Sequence, residues 1–409
     1  MDFNYHYTEE QAQFRLEVRA WLQENIPPHI KAPIDRENIT DEEYEFALDL
    51  RKKLGAKAWL YPTYPKEFGG GGLTAQHEVI LQEEFRRRKV PTVFSNDLVL
   101  PSILVWGTDE QKQEWLPGIM RGETICFQNF TEPQSGSDLA SIECTAVRDG
   151  DEWIINGQKI FVSGGGPGRA DMLFGPMKTD PDAPRHKNLG YFLIPAETPG
   201  LRLTSMELLN GHNQHTVMMD DVRVPHRCLL GGETQGWQVT QTTLEAEHGG
   251  RGRALPIDEA LDNNIEYVKH TKVNGGTLGQ DPYIRQQVVD SFLDYHVYSL
   301  IEKRNHWMYT GRQEMTYHGS QSALYRKEYQ LRNADRARDI LGPYAILDTK
   351  DPAAPNEGAP EVFQRSSLTA AHPGGTVEVQ KVVIARRLGI SRTKEKAAPT
   401  PATATSYTS

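Results

Sequence analysis

The stretch TTLEAEHGGRGR, residues Thr242–Arg253, concentrates groups that can do chemistry. It holds two carboxylates, Glu245 and Glu247, followed by a histidine, two glycines and two arginines. A carboxylate can remove a proton from carbon when an apolar, desolvated pocket raises its pKa toward neutrality. The other interpretation is the charged end of a surface helix, because glutamate is seldom fully buried. The choice depends on what the rest of the chain builds around these residues.

The composition narrows the class of protein. Of its 409 residues, 38 % are hydrophobic and 24 % are charged, which suits a globular protein of two or three domains. The net charge of −10 disfavours nucleic-acid binding, no apolar run is long enough to span a membrane, and the polar N-terminus does not resemble a signal peptide. Cys126, Cys144 and Cys228 lack CxxC spacing, which argues against disulfides or zinc. We expect a cytoplasmic protein with no membrane or nucleic-acid partner.

Helical patterns fill the first part of the chain. Thr8 is a candidate N-cap, and Phe14, Val18 and Leu22 then recur at helical spacing to form one apolar face. Residues 107–123 predict a short capped helix that ends in a turn.

Strand patterns begin near residue 124. Apolar residues alternate from Cys144 onward, and the alternation is broken at Asp149–Asp151 and at Asn156-Gly157, a favoured hairpin dipeptide. Helical patterns return from Gly236, and the last residues are small and polar. We therefore predict an α+β multidomain protein with a helical domain at 1–123, a β domain at 124–235, a helical bundle domain at 236–392 and a disordered tail at 393–409.

Several motifs together point to one family. NFTEPQSGSD at 129–138 offers hydroxyls and backbone N–H groups to a ring edge or a phosphate. With PKEFGGGGL, GTDEQKQEWLPGIMRGE, NGQKIFVSGG and DVRVPHRCLLGGETQGW, in order and spacing, it resembles the acyl-CoA dehydrogenase family over roughly residues 5 to 392.

The resemblance implies a helical N-terminal domain, a barrel-like middle β domain and a C-terminal four-helix bundle, with FAD between the last two. It also implies an acyl-CoA substrate and an electron-transfer flavoprotein as acceptor. The residues it assigns to FAD are Phe130, Thr131, Phe161, Val162, Ser163, Gly375 and Thr376, and Ser137 is assigned to CoA. Where the family usually has tryptophan, Phe161 keeps the stacking face but loses the indole N–H.

The family reaction removes an α-proton from a thioester and passes a β-hydride to flavin N5. Many members carry the base as a glutamate near the C-terminus, but here Gly374 stands in its place and has only a backbone N–H to offer the thioester oxygen. The isovaleryl and long-chain branch places its glutamate on the helix after a Gly-Trp motif, where this chain has Glu247. We therefore predict Glu247 as the catalytic base, and expect a bulky, branched or ring-bearing acyl group.

The CoA-side residues leave alternatives open. Glu245 points to another side of a helix than Glu247, so it is either solvated or in contact with CoA. The family usually has arginine where His248 stands, which leaves CoA anchoring to Arg251 or Arg253.

A separate pair of histidines, in HNQH at His212–His215, has metal-ligand spacing but no accompanying carboxylate or cysteine cluster. We interpret this stretch as a polar loop and predict no metal.

Two motifs by which a neighbouring subunit holds the FAD pyrophosphate and adenosine are degraded. Gly275 replaces an arginine, Asp339 replaces a glutamine, and Pro343 and Ala345 replace glycines. An aspartate repels a pyrophosphate, and proline removes an N–H donor. A paralogous subunit in an α2β2 heterotetramer would then supply this adenosine clamp; a homotetramer that holds FAD through other residues is the alternative.

Two other functions remain compatible with the sequence. One is a flavin-dependent oxidase or monooxygenase on the same fold, with oxygen as acceptor. The other is a non-catalytic subunit of a heteromeric dehydrogenase.

Overall fold

The structure is a computed structural model that describes residues 3–36, 38–164, 168–248 and 255–391. The predicted disordered tail, 393–409, lies outside these residues. The helices before the sheet are α1 Glu9–Asn25, α2 Asp41–Ala56, α3 Ala75–Arg88, α4 Val99–Trp106 and α5 Asp109–Met120.

The helix starts follow the capping chemistry of the sequence. Thr8 caps α1 and Thr108 caps α5, each in a capping box with a glutamine at the third helical position. Val18 and Leu22 are fully buried on α1, and Phe14 packs against the same cluster. The predictions for both helices are confirmed.

Eight strands form one sheet within the described residues. They are β1 Cys126–Gln128, β2 Thr145–Asp149, β3 Glu152–Ser163, β4 Met172–Lys178, β5 Leu189–Pro195, β6 Leu201–Leu208, β7 Gly211–Pro225 and β8 Leu229–Leu230. Their order is β6-β7-β3-β2-β4-β5-β8, with β1 parallel to β4. One apolar cluster contains Trp153 and Phe192, and the other joins Phe174 and Tyr191 to α4 and α5. The sheet therefore holds α4 and α5 in place.

The predicted hairpin at Asn156-Gly157 is wrong. The chain turns at Asp149–Asp151 instead, and β3 runs straight through the dipeptide. Gly157 lies at a break in the β3–β7 register with φ of 141°, where a Cβ would approach Cys144 Sγ to 2.3 Å. The Asn-Gly pair therefore lies at a β-bulge, where the chain at Cys144 passes close to the backbone of Gly157.

The histidine stretch predicted as a loop lies inside β7. His215 pairs with Val162 of β3 and Ser205 of β6, and its ring is fully buried beside the ring of Phe127, with the centroids 6.0 Å apart. Pairing on both sides makes the segment a central strand, which a polar sequence alone does not reveal.

The remaining elements pack around two long helices. They are α6 Gly236–His248, α7 Glu259–His270, β9 Lys272–Val273, β10 Gly276–Thr277, α8 Pro282–Thr310, α9 His318–Leu341, α10 Ala359–Ala370 and α11 Val377–Arg387. Helix α9 lies at the centre and contacts α8, α10 and α11. The expected order of a helical domain, a sheet and a second helical domain is observed; the domain boundaries stay a prediction.

One face of α8 is apolar but exposed. Val289, Leu293, Val297 and Leu300 recur at helical spacing and are all exposed. This set, called the α8 stripe below, is the kind of surface that another chain covers.

Among the described residues, none of the helices combines the length and apolar character needed to cross a membrane.

Candidate active site

Buried hydroxyls fix the helix that carries Glu247. Thr243 Oγ1 shares a 2.8 Å hydrogen bond with Ser102 of α4 and a 2.9 Å hydrogen bond with the Tyr191 hydroxyl of β5. Trp106 of α4 donates its indole N–H to Thr242 Oγ1 at 2.9 Å. Because Glu247 follows Thr243 by about one turn, these bonds set the position of its carboxylate.

The carboxylate of Glu247 lies against the backbone of Gly374. A Cβ built on Gly374 would be 2.9 Å from Glu247 Oε1, so the carboxylate would have to move to make room for it. Gly374 and Gly375 have φ of 64° and 76°, a conformation that glycine adopts without strain. Residues more than a hundred positions apart therefore meet at one point, and the carboxylate occupies the space beside the glycine.

The segment that carries these glycines is held from two helices. Lys327 of α9 donates to the carbonyls of Ala370 and Pro373 at 2.9 and 2.6 Å. Gln380 of α11 donates to the carbonyl of Gly374 at 2.8 Å. These three hydrogen bonds fix the backbone of the segment.

Lys327 is a residue that sequence reasoning missed. It is 2 % exposed, and burial, followed by the charge of Arg326, lowers the pKa of Lys327 to about 8, while Glu247 acts in the opposite direction. In the stretch YRKEYQ nothing distinguishes it from its charged neighbours. Only the packing of α9 against α10 and α11 buries it.

A second group of residues lies at the end of β3. The N–H of Ile160 donates to the carbonyl of Thr131 at 2.8 Å, which places Thr131 next to Phe161 as the motifs suggest. Phe161 is 48 % exposed and has φ of 54°. An exposed aromatic ring at a strand end is a surface on which a planar ligand can stack.

Two of the residues assigned to the flavin turn their side chains into the protein. Val162 is fully buried in the core of the sheet, and Phe130 is 5 % exposed beside Phe174. Alternation along a strand explains Val162, since its neighbours Phe161 and Ser163 point the other way. Phe130 and Val162 can therefore offer only backbone groups to a ligand.

A buried ion pair anchors the loop between β1 and β2. Lys159 Nζ lies 2.8 Å from Glu132 Oε1, both side chains being buried, and donates to the carbonyl of Phe130 at 3.2 Å. Glu132 accepts the backbone N–H groups of Glu143 and Cys144 at 2.6 and 3.0 Å. Burial raises the pKa of Glu132, but Lys159 and these donors outweigh it and leave the pKa below its usual value.

Tyr191 connects the two groups of residues. Its ring packs edge to face on the ring of Phe130, with centroids 6.1 Å apart, and its hydroxyl bonds to Thr243 on α6. The loop before Thr131 and the helix of Glu247 are therefore positioned by one buried side chain.

The residues assigned to CoA are less organised. Ser137 is exposed in the loop after Glu132, and exposed Glu245 forms an ion pair with Arg387 of α11 at 3.4 Å. The side chain of His248 and all of Arg251 lie outside the described residues.

Comparison with known proteins identifies the family. Models of the acyl-CoA dehydrogenase N-terminal, middle and C-terminal domains match residues 8–123, 127–222 and 234–389. The chain belongs to the acyl-CoA dehydrogenase family. It is an FAD-dependent oxidoreductase that acts on the CH–CH bond of an acyl-CoA thioester.

Individual relatives match along almost their whole length. The acyl-CoA dehydrogenase FadE26 of Mycobacterium tuberculosis is 28 % identical over 403 residues, which cover 94 % of this chain and 98 % of FadE26. Among solved structures, the Tcur3481-Tcur3483 steroid ACAD has a TM-score of 0.79 and 25 % identity, covering 97 % of this chain and 100 % of that one. The ChsE4-ChsE5 complex from M. tuberculosis has a TM-score of 0.77 and 26 % identity, covering 95 % and 100 %.

The residues of this acyl-CoA dehydrogenase fit the flavin-ring part of FAD. Phe161 offers an exposed ring beside Thr131 and Ser163. Gln380 is 1 % exposed, and within the described residues its Oε1 accepts no hydrogen bond. Because a buried amide oxygen without a partner is costly, this atom is suited to an N–H or O–H donor of a ligand.

The segments that match the family's adenosine clamp have other structures here. Asn274 and Gly275, with φ of 49° and 83°, form the turn of the β9–β10 hairpin, so the place of the arginine has no side chain. Asp339 accepts a hydrogen bond from the Tyr283 hydroxyl at 2.6 Å, and the Gly342–Ile346 segment is a short 3₁₀ helix. The aspartate is therefore engaged within its own chain.

Proposed function

We propose that Glu247 is the base that removes the α-proton of the acyl-CoA thioester. The observation that carries this proposal is the contact between Glu247 Oε1 and the vacant side-chain position of Gly374, at 2.9 Å. The family's two alternative base positions converge there, so a carboxylate on α6 reaches the region that a glutamate at residue 374 would serve.

Each neighbouring residue then has a definite task. When bound, FAD accepts the hydride that leaves the β-carbon. The backbone N–H of Gly374 donates to the thioester oxygen as negative charge develops there. The remaining groups that would hold the flavin are the backbones of Phe130 and Val162 together with Thr131, Phe161, Ser163, Gly375 and Thr376, while Ser137, Glu245, His248 and Arg251 serve CoA.

The acyl group in this proposal is bulky or ring-bearing. The likeness to a steroid ACAD supports this choice, as does a base on α6 rather than near the C-terminus.

The assembly proposed is an α2β2 heterotetramer with a paralogous chain that supplies the adenosine clamp. The altered clamp segments, the exposed α8 stripe and the likeness to the ChsE4-ChsE5 complex support it. A homotetramer is the alternative. An electron-transfer flavoprotein is the proposed acceptor, and the three free, buried cysteines favour a cytoplasmic location.

The test of the base compares two glutamates of one helix. Glu247→Gln is expected to lower kcat by roughly 10³-fold with flavin retained, because a carboxamide cannot accept the proton. Glu245→Gln, which removes an exposed carboxylate assigned to CoA, is expected to raise KM and to leave kcat within about threefold of the wild type. Equal losses in the two variants would contradict the assignment, and wild-type activity in Glu247→Gln would support a different base.

A further inference from the structure

Lys327 is a buried lysine whose position demands an explanation. It is 2 % exposed on α9, and an ammonium is costly to bury unless hydrogen bonds compensate. Its hydrogen bonds run to two backbone carbonyls, those of Ala370 and Pro373. The protein therefore uses a charged side chain where a neutral donor would satisfy the same acceptors.

Those carbonyls belong to the segment that ends at the active site. Pro373 immediately precedes Gly374, whose missing side chain leaves room for the carboxylate of Glu247. On the other side, Gln380 holds the carbonyl of Gly374 at 2.8 Å. A shift of this segment toward α6 would collide with the carboxylate, and a shift away would move the Gly374 N–H from the thioester.

We propose that Lys327 is a positioning residue for proton abstraction, which fixes residues 370–374 against the carboxylate of Glu247 and keeps a positive charge near it. This inference rests on the proposed role of Glu247 as the base. Lys327 acts through the backbone of Gly374 and through its charge, and it does not touch the reacting atoms.

The surrounding charges support the electrostatic part of the role. Burial and the charge of Arg326 lower the pKa of Lys327 to about 8, and Glu247 on α6 opposes them. From the segment before α11 the groups that face the ammonium are carbonyls. On α11 itself, Lys381 is occupied in an exposed ion pair with Glu328 at 3.2 Å. The ammonium is thus charged at neutral pH and loses its proton as the pH rises through about 8.

The decisive experiment separates proton removal from hydride transfer. An acyl-CoA in which sulfur replaces the β-carbon has an acidic α-proton but no β-hydride to give up. Incubated with the flavin-loaded enzyme in D2O, it exchanges its α-proton at a rate that mass spectrometry measures. Lys327→Met is expected to slow this exchange and to lower kcat by about 100-fold, with KM changed by less than about threefold, since a misplaced group costs rate more than binding.

Two further variants distinguish positioning from general stability. Lys381→Met removes a lysine of the adjacent helix and is expected to leave exchange, kcat and the midpoint of thermal unfolding unchanged. Lys327→Gln, which keeps a donor without charge, covers the case in which Lys327→Met does not fold. It is expected to fold and to exchange slowly.

The pH dependence tests the charge itself. In the wild type, kcat is expected to fall above a pH of about 8 as Lys327 loses its proton. Lys327→Arg is expected to keep its activity to higher pH, because arginine stays charged. A wild-type exchange rate in a folded Lys327→Met or Lys327→Gln variant would overturn the inference. If Glu247→Gln exchanged normally while Lys327→Met did not, the proposed base would fall and Lys327 would have to serve another carboxylate.

Discussion

The C-terminal helices have two ends that differ in how completely they are built. At the base end, Lys327 and Gln380 donate hydrogen bonds to the backbone around Gly374, and the carboxylate of Glu247 lies against Gly374. At the hairpin end, comprising the β9–β10 turn and residues 339–346, the family's ligand-binding side chains are replaced by a bare turn and by an aspartate bonded to Tyr283.

Under the proposed function, the difference separates groups that serve this chain's own reaction from groups that a neighbouring chain would use. Groups that act on the substrate are held by buried hydrogen bonds that are costly to lose. Groups that a subunit lends to its neighbour's FAD bring no benefit to its own fold, so they are free to change when the neighbour is a different chain.

The largest expected effect concerns flavin occupancy. We expect the chain expressed alone to purify with little FAD, because its hairpin end lacks the arginine and the glycine-rich turn. Co-expression with a paralogous chain is expected to raise the content to about one FAD per pair of chains. The measurement is flavin absorbance relative to protein concentration. About one FAD per polypeptide for the chain alone would refute the heteromer. It would also show that the hairpin end is as complete for binding as the base end.

The second prediction compares a glycine from each end. Gly374→Ala is expected to lower kcat by about 100-fold, because its Cβ would lie 2.9 Å from Glu247 Oε1. Gly275→Ala imposes similar backbone strain at φ of 83° but meets nothing within 4 Å, so it is a matched control with near-normal kcat. Steady-state kinetics and the unfolding midpoint of both variants check this. Equal losses would show that strain, rather than the contact with the carboxylate, is responsible.

The third prediction concerns the loop of Thr131. Lys159→Met is expected to reduce the free energy of unfolding by about 3–5 kcal/mol, since it leaves Glu132 charged and buried without its partner. Arg223→Met breaks exposed pairs with Asp149 and Glu152 and is expected to leave the free energy of unfolding almost unchanged. Urea unfolding measures both. A small loss in Lys159→Met would mean that the loop is held by its backbone bonds.

The smallest effect depends on pH and concerns Asp294 of α8, which forms ion pairs with two arginines of α9. Burial raises the pKa of Asp294, but Arg332 and Arg336 lower it more, to about 2. A depressed carboxyl pKa stabilises the fold above the usual value near 4 and stops doing so as the pH falls toward 2. Asp294→Asn is expected to cost about 1–2 kcal/mol at pH 7 and clearly less at pH 3. Unfolding free energies at both values test this; a pH-independent difference would contradict it.

The sequence predicted the elements whose causes are local. Thr8 and Thr108 cap helices through neighbours three residues away, and those predictions held. Asn156-Gly157 failed because Gly157 packs closely against Cys144, which directly precedes β2 and is distant in sequence. The buried strand at His215 failed for the same reason, since pairing partners on β3 and β6 outweigh a polar sequence.

The residues of the candidate site also differ in whether local sequence or distant packing determines them. Thr131 and Phe161 could be brought together from motif order, and the 2.8 Å hydrogen bond from the Ile160 N–H to the Thr131 carbonyl agrees with that order. The role of Glu247 remains a prediction from sequence to which the contact with Gly374 lends support. Lys327 and Tyr191 could not be predicted, because a buried lysine and a buried tyrosine acquire their roles only when separate elements pack together.

The α8 stripe has a consequence for how cells must produce this protein. A chain made in excess would display Val289, Leu293, Val297 and Leu300 to every other newly made polypeptide. Such surfaces associate without specificity at cellular concentrations. For the proposed heterotetramer, matched synthesis of the two chains then becomes a condition for solubility, and the yield of active enzyme is limited by whichever chain is made more slowly.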